Sequence, residues 1–376
     1  MKNVRVPASE SVIIGAGRIR VGEYWDRSIV SLASEAVRLA LRDAGNPSAD
    51  AIYIGNAYAS ILSRQANLGA LVPEAAAHPH LESTTFEAAG ASGAAALRAA
   101  FLAVKSGWIK TAVAVGVEKI TDVAGSEAAG AASLTLNYEY ESSQGMTPES
   151  QAALIARRYL ETYTHSRDIF RSIALRAREN AAGNPYARSR GSLRPDAYDR
   201  QAIPLPPLGM FDLAQLGDGA AAVVVTREDC VPANLSAAPI RILASANAAA
   251  QLSIHDRPQI LTYTAAAQSA ERALNQAHIR LKKIDAFELD DKTAIDLILS
   301  LEAIGLSHPG QGWQTNRIPL NHGGGNSGRG YPTGAAGIYQ IIEAIDWLRT
   351  QGPAKTVFVQ ALGGRAATAI SHVLAS

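Results

Sequence analysis

Gly90-Ala-Ser-Gly-Ala94 opens an alanine-rich run that ends near Gly107 and leads into Thr111-Ala-Val-Ala-Val-Gly116. Gly330-Tyr-Pro-Thr-Gly334 opens a second run, to about Arg349, that leads into Thr356-Val-Phe-Val359. A glycine-bounded turn, an amphipathic helix and an apolar strand therefore occur twice in the same order, and a repeated unit governs the reading of a whole chain. The correspondence continues upstream. Val12-Ile-Ile-Gly-Ala-Gly17 precedes a helical pattern through Ile29, Leu32, Ala33, Ala36, Val37 and Ala40 that ends at Gly45, and then comes Asp50-Ala-Ile-Tyr-Ile-Gly-Asn56. The counterparts are Ile240-Arg-Ile-Leu-Ala-Ser-Ala246, a helical pattern from Thr264 to Ala277, and Asp285-Ala-Phe-Glu-Leu-Asp-Asp291. The offset from Asp50 to Asp285 is 235 residues, from Gly90 to Tyr331 241, and from Gly116 to Gly363 247.

Strands alternating with amphipathic helices predict an α/β chain in two duplicated halves, each a parallel sheet covered by helices. Residues 1–117 together with 213–238 make the first half and 239–376 the second. Residues 118–212, polar and interrupted by prolines and tyrosines, are expected to form a loop domain inserted in the first half and laid over the site. Both glycine turns join a strand to a helix N-terminus, where free N–H groups and the helix dipole favour an anion or an oxyanion. Halves packed about a pseudo-twofold axis place a reacting carbonyl between the residues at 90 and 331.

Composition narrows the function. At 376 residues the chain exceeds what one hydrophobic core supports, and 47% hydrophobic against 18% charged residues marks it as globular. A formal charge of +1 leaves no electrostatic footprint for nucleic acid. The single cysteine, Cys230, excludes an internal disulfide framework and a cysteine-built metal site. His78-Pro-His80 is too short a spacing in a proline-containing loop to argue for a metal, so none is expected. Gly15-Ala-Gly17 lacks the later glycine of a dinucleotide fingerprint, and Gly323 to Gly330 lacks a phosphate-loop lysine. Met1 to Val12 is polar and broken by Pro7, and no apolar run reaches the roughly 20 residues of a bilayer span, so no membrane association and a cytoplasmic location are expected.

Five segments in order resemble the thiolase superfamily, and within it the archaeal and bacterial acetoacetyl-CoA thiolase group related to the sterol-carrier-type thiolases. Glu87-Ala-Ala-Gly-Ala-Ser-Gly93 resembles the nucleophile turn, usually Glu-Ala-Ala-Cys-Ala-Ser-Gly, and Gly116-Val-Glu-Lys-Ile-Thr-Asp122 resembles the strand and turn after it. Gly217-Asp-Gly-Ala-Ala-Ala-Val-Val224, Asn321 to Gly337 and Leu362-Gly-Gly-Arg-Ala-Ala-Thr-Ala369 resemble the remaining motifs. The resemblance implies a duplicated five-layer αβαβα fold, a homodimer, and a CoA thioester as substrate or ligand with no cofactor held tightly. It also implies an OB-fold, zinc-ribbon acyl-CoA-binding protein as a partner.

The departures from the family pattern are chemical. The nucleophilic cysteine aligns with Gly90, so a covalent acyl-enzyme cannot form by the family's route. The Gly-His-Pro histidine aligns with Tyr331, a phenol with an ordinary pKa of about 10 that donates a hydrogen bond and is a poor base. His-Asp-Cys-Phe aligns with Asp290-Asp291-Lys292-Thr293, and the terminal Asn-x-Gly-Gly-x-Gly with Ala361-Leu-Gly-Gly-Arg-Ala366. Read this way, Tyr331 is the acid, Asp290 the base, and the backbone N–H groups of Gly90 and Gly364 the oxyanion hole. Of the adjacent Asp290 and Asp291, one at most faces the pocket, because neighbours on a strand point oppositely. Lys292 offers Asp290 a salt bridge. His322, with Gly324 and Gly325, is the candidate ligand-binding end. Ser92 lacks a base, and Arg157, Arg158, Arg188 and Arg190 are candidates for CoA phosphates or plain surface.

Three functions fit these residues. The first is cysteine-independent carbon–carbon chemistry on an acyl-CoA, of the retro-aldol type seen in steroid side-chain aldolases of the superfamily, whose second tyrosine is expected near Asp290 and is absent there. The second is an inactive homologue that scaffolds an acyl-CoA complex. The third is an acetyl-CoA acetyltransferase by homology only.

Overall fold

Along the strand Gly219–Arg227, Val223 and Val225 face one core while Ala222 and Val224 face another, and this period-2 alternation between two packed faces runs through the molecule. The chain is described for residues 10–315 and 318–376 by a computed structural model. Nine strands are present among them: β1 (Ser11–Arg18), β2 (Ala51–Gly55), β3 (Glu82–Phe86), β4 (Thr111–Glu118), β5 (Gly219–Arg227), β6 (Ile240–Ala249), β7 (Ala286–Leu289), β8 (Thr356–Gly363) and β9 (Thr368–Ala375). Their spatial order is β3-β2-β4-β5-β1-β6-β9-β8-β7. Outward from the β1–β6 seam, one side reads β1, β5, β4, β2, β3 and the other β6, β9, β8, β7, and the first four strands of each correspond, which is the duplication made physical. The seam itself holds through two residue pairs, Val12 with Arg241 and Ile13 with Ile240.

Five layers follow from which side chains share a core. The helices Ser92–Lys105 and Ala336–Gln351 are buried between Val223 and Val225 of the first half and Val357 and Val359 of the second. The helix Ile29–Asp43, capped by the Ser28 hydroxyl on Ser31 N at 3.1 Å, covers the opposite face of the first half against Val113 and Val224. The helices Thr264–Ala277 and Ala294–Ala303 cover the outer face of the second half against Phe358 and Val373.

The sheets are mixed, correcting the expectation of parallel ones. β5 runs antiparallel to β1 and β4, and β9 antiparallel to β6 and β8, while β2 is parallel to β3 and β4 and β7 to β8. The physical reason is plain at β8–β9, where residues 364–367 close a tight turn and a parallel neighbour needs a crossover of a dozen residues or more. The segment 119–218 is more than loop. It holds the helices Gly125–Ser133, Pro148–Tyr163 and Ile169–Ala182, and the second of these starts at a capping box between Thr147 and Ser150. Ile155, Tyr159, Phe170 and Ile173 from these helices join the outer core of the second half. Among the described residues no helix is long and apolar enough to cross a membrane.

Candidate functional site

Each glycine turn begins as a 3₁₀ turn, Ala89–Ala91 before the helix at Ser92 and Thr333–Ala335 before the helix at Ala336. Glu118, the last residue of β4, joins the two. Its buried carboxylate accepts from Ala57 N at 3.1 Å, Tyr58 N at 3.3 Å, Asn56 Nδ2 at 3.0 Å and, across the pseudo-twofold axis, Gly334 N at 3.0 Å. Burial raises its pKa to about 7 against the pull of those four donors. Gly334 must be glycine for this approach, since a Cβ there would sit 2.7 Å from Asn56 Cα.

A cavity opens where the turns meet, lined by Gly90, Tyr331, Tyr58, Lys292, Gly364 and Arg365 together with Leu136, Pro148, Glu149, Leu213 and Leu216. The segment 119–218 supplies Leu136, Pro148, Glu149, Leu213 and Leu216, so it does form part of the wall. Tyr331 is held by its backbone N–H on the Gln215 carbonyl at 2.8 Å and is 8% exposed. Burial pushes its phenol well above the usual value, and the charge of Asp290 and the neighbouring Tyr58 push the same way, so it stands as a neutral O–H donor.

Gly90 and Tyr331 compete for one volume. A Cβ on Gly90 would overlap the Tyr331 hydroxyl and lie 2.7 Å from the Leu362 carbonyl oxygen. Gly90→Cys alone is therefore expected to destabilise the fold by about 1–3 kcal/mol through overpacking. Gly90→Cys/Tyr331→Phe, which removes the hydroxyl, should recover part of that loss. Denaturant unfolding of wild type, both single variants and the double checks it, and strictly additive effects would mean the two residues do not share the space.

Asp290 and Asp291 follow the end of β7 at Leu289, and their carboxylates take different donors. Asp290 Oδ1 accepts from Lys292 N at 3.0 Å and Asn326 Nδ2 at 3.4 Å, and its Oδ2 from Leu362 N at 3.2 Å, with Lys292 Nζ 3.5 Å from the same oxygen. Asp291 turns away and accepts from Asn326 N at 2.5 Å; burial and then the Asp290 charge raise its pKa to about 7. Beyond them, Thr293 caps the helix Ala294–Ala303, and Asp296 inside that helix accepts from Tyr263 Oη at 2.5 Å, from Thr293 Oγ1 at 2.7 Å and from the Arg365 guanidinium. Arg365 lies between Gly364 and Ala366, at φ of 50°, 51° and 57° for the three, a left-handed run costly for the two non-glycine residues. Its guanidinium also reaches the Pro148 carbonyl, and its own carbonyl accepts from Arg257 Nη1 at 2.9 Å, so buried polar contacts hold the turn that presents Gly364.

The structure gathers Gly90, Gly364 and Tyr331 around one cavity with Asp290 behind its wall, and it takes His322, Gly324 and Gly325 elsewhere. His322 stacks on Trp347 at 5.3 Å and lines a separate cavity of about 320 Å³ with Asn184 and Glu343. A Cβ on Gly324 would meet Ala181 at 2.6 Å, and one on Gly325 would overlap the Asp291 carboxylate, so both positions are packed against neighbours that leave no room for a side chain. The Ser92 hydroxyl is occupied between Ala89 O at 2.7 Å and Ala88 N at 2.9 Å. Arg157 and Arg188 are engaged by Glu161 and Glu23, and Arg158 lines a groove beside Tyr163. Cys230 lies beyond the far end of β5 from Gly219, about 25 Å of strand away from the turns. Sequence reasoning passed over Glu118, Asp296 and Glu149; Glu118 stood inside the quoted Gly116–Asp122 motif, and the others carried no local signal.

A family model for the thiolase N-terminal domain matches residues 11–190, and one described as thiolase C-terminal domain-like matches residues 246–376. The acetyl-CoA acetyltransferase of Methanothermobacter thermautotrophicus is 32% identical over 378 residues, covering 96% of this chain and 98% of its own. The 17-hydroxy-3-oxo-4-pregnene-20-carboxyl-CoA lyase of Mycobacterium tuberculosis is 24% identical over 360 residues, 90% and 92% of the two chains. Among solved structures, the Ltp2–ChsH2(DUF35) aldolase superposes with a TM-score of 0.82 over 99% of both chains at 22% identity, a likeness of fold.

Proposed function

The chain belongs to the thiolase superfamily, and on that premise we propose that it binds an acyl-CoA and makes or breaks a carbon–carbon bond without a cysteine. The observation that carries this reading is the Tyr331 hydroxyl standing where a side chain on residue 90 would begin, inside the cavity and within the field of Asp290. In the cleavage direction, the proton of a β-hydroxyl group passes by way of a water to Asp290, which stands buried behind the cavity wall. The β-carbon becomes a carbonyl, and the bond's electron pair moves onto the thioester, whose oxygen is held by the N–H groups of Gly90 and Gly364. Tyr331 then gives its proton to the α-carbon and recovers one from Asp290, so every proton is accounted for. The lyase and aldolase likenesses support this chemistry. The aldolase's name, which pairs Ltp2 with the DUF35 protein ChsH2, supports a partner of the OB-fold, zinc-ribbon kind. The chain is read as a cytoplasmic homodimer.

Exchange of the acetyl-CoA methyl hydrogens with D2O tests the reading without knowledge of the second substrate, because enolate formation is the last step of cleavage run backwards. The purified protein, alone and with its partner once found, should accelerate deuterium uptake measured by mass spectrometry. No acceleration in either state, with no shift of thermal midpoint on adding CoA or acetyl-CoA, would transfer the function to the scaffold reading.

A further inference from the structure

We propose that Lys292 is a catalytic residue of this cavity, its ammonium group stabilising the enolate oxygen that forms on the thioester as the carbon–carbon bond breaks. The proposal rests on the acyl-CoA reading and names the side chain that carries the developing charge alongside the backbone amides.

The chain path fixes where Lys292 stands. β7 ends at Leu289 and the next helix is capped by Thr293, so Lys292 sits in the short bend between them, its N–H on Asp290 Oδ1 at 3.0 Å and its carbonyl accepting Ala214 N at 2.8 Å. Its side chain is 12% exposed and lines the same cavity as Gly90, Tyr331 and Gly364. A plain salt bridge with Asp290 does not use it up. Asp290 already accepts three neutral donors, from Lys292 N, Asn326 Nδ2 and Leu362 N, and the ammonium approaches only to 3.5 Å, at the outer edge of hydrogen bonding. Of its three N–H bonds the others are free to serve the cavity.

The surroundings favour that use. Arg365, the other cation in the wall, is committed to Asp296 and to the Pro148 carbonyl. Leu136, Leu213, Leu216 and Leu362 make much of the remaining wall apolar, and charge–charge attraction strengthens as water is excluded. Lys292 Nζ and Leu362 N share one oxygen of Asp290, and the Leu362 carbonyl is 2.7 Å from where a Cβ on Gly90 would be, which sets the ammonium within a few bonds of the turn that holds the reacting thioester. In the step, the bond between α- and β-carbons breaks, its electron pair becomes the enolate, the β-hydroxyl proton passes by way of a water to Asp290, and the Lys292 ammonium keeps its protons while its N–H bonds shorten towards the enolate oxygen. No oxidant or reductant enters.

S-carboxymethyl-CoA, a CoA thioether whose carboxylate mimics a planar enolate, and acetyl-CoA are the probes, compared by titration calorimetry. Wild type should bind the anionic compound about 10- to 100-fold more tightly, the worth of one hydrogen bond to a charged group. Lys292→Met should erase the preference, each compound being compared within the same variant, and Lys292→Arg should keep part of it. Equal affinity of wild type for the two compounds overturns the role of Lys292 and needs no variant. A preference surviving in Lys292→Met overturns it as well. Failure of wild type to bind either compound overturns the acyl-CoA reading itself, and this proposal with it.

Discussion

Tyr331→Phe is expected to slow deuterium uptake into acetyl-CoA by about 10²–10⁴-fold, the usual contribution of a positioned acid or base. The change deletes one oxygen and keeps the ring that fills the cavity wall, so the thermal midpoint should move little; one buried hydroxyl is worth about 0.5–1.5 kcal/mol. The size of the rate effect follows from the electrostatics. Burial and the Asp290 carboxylate both disfavour the phenolate, so the hydroxyl is protonated across the physiological range and gives up its proton only in concert with a proton transfer at carbon. In the exchange reaction that transfer runs in reverse, with Asp290 receiving the phenolic proton as Tyr331 takes one from the methyl group. Phenylalanine can do neither. An unchanged rate in a folded Tyr331→Phe protein would remove the tyrosine from the mechanism and leave Asp290 and Lys292 as the working pair.

The duplicated architecture was legible because it is written in periodicity. Helical spacing from Ile29 to Ala40 and from Thr264 to Ala277 gave helices at Ile29–Asp43 and Thr264–Ala277, since each buries one stripe on a sheet. β3 and β9 had no such signature. Glu82–Phe86 lies at a sheet edge and is largely exposed, so nothing forces its residues to alternate; β9 is buried on both faces, so its pattern does not mark it as a strand. Strand direction was illegible for a related reason, because turn length and not apolar content decides it at β8–β9.

The site divided in the same way. Gly90 and Tyr331 were singled out because motifs placed them at the two glycine turns, and Gly364 because a third placed it in the turn between β8 and β9; all three line one cavity. His322 lies outside this cavity because closeness in sequence to Tyr331 does not set position when the helix Gly325–Arg329 intervenes and His322 sits on Trp347. The overlap between the Tyr331 hydroxyl and a Cβ on Gly90 lies between residues 241 positions apart and exists only in three dimensions. It also joins two substitutions that looked independent into one: the tyrosine fits because residue 90 has no side chain.

Arg365→Met is expected to cost about 3–5 kcal/mol at neutral pH, the penalty for leaving a buried carboxylate without its cation. Both Arg365 and Asp296 are buried, at 3% and 0% exposure, and methionine at the same left-handed φ keeps the backbone cost unchanged, so the loss reads the ion pair. Its pH dependence has a definite sign. Burial alone would raise the Asp296 pKa, but Arg365 and then Lys292 outweigh it and hold the carboxyl well below the usual range. In wild type Asp296 therefore contributes stability that is present above the unfolded value of about 3.9 and is lost as pH falls through the lower folded value. With Arg365 gone the shift reverses, and Asp296 opposes folding wherever the unfolded chain would ionise it. The gap between the two proteins should be widest at neutral pH and shrink progressively as pH falls, closing only towards the low folded value of Asp296 in wild type. Denaturant midpoints from pH 3.5 to 8 measure it, and a gap independent of pH would assign the loss to packing of the methionine. Arg365→Met/Asp296→Asn, which removes both charges, should regain much of the stability at neutral pH. The exchange reaction should not return with it, because the guanidinium also grips the Pro148 carbonyl across the cavity and fixes the turn on which the Gly364 N–H is presented. A double variant that is stable and inactive would separate holding the fold from aiming the oxyanion hole.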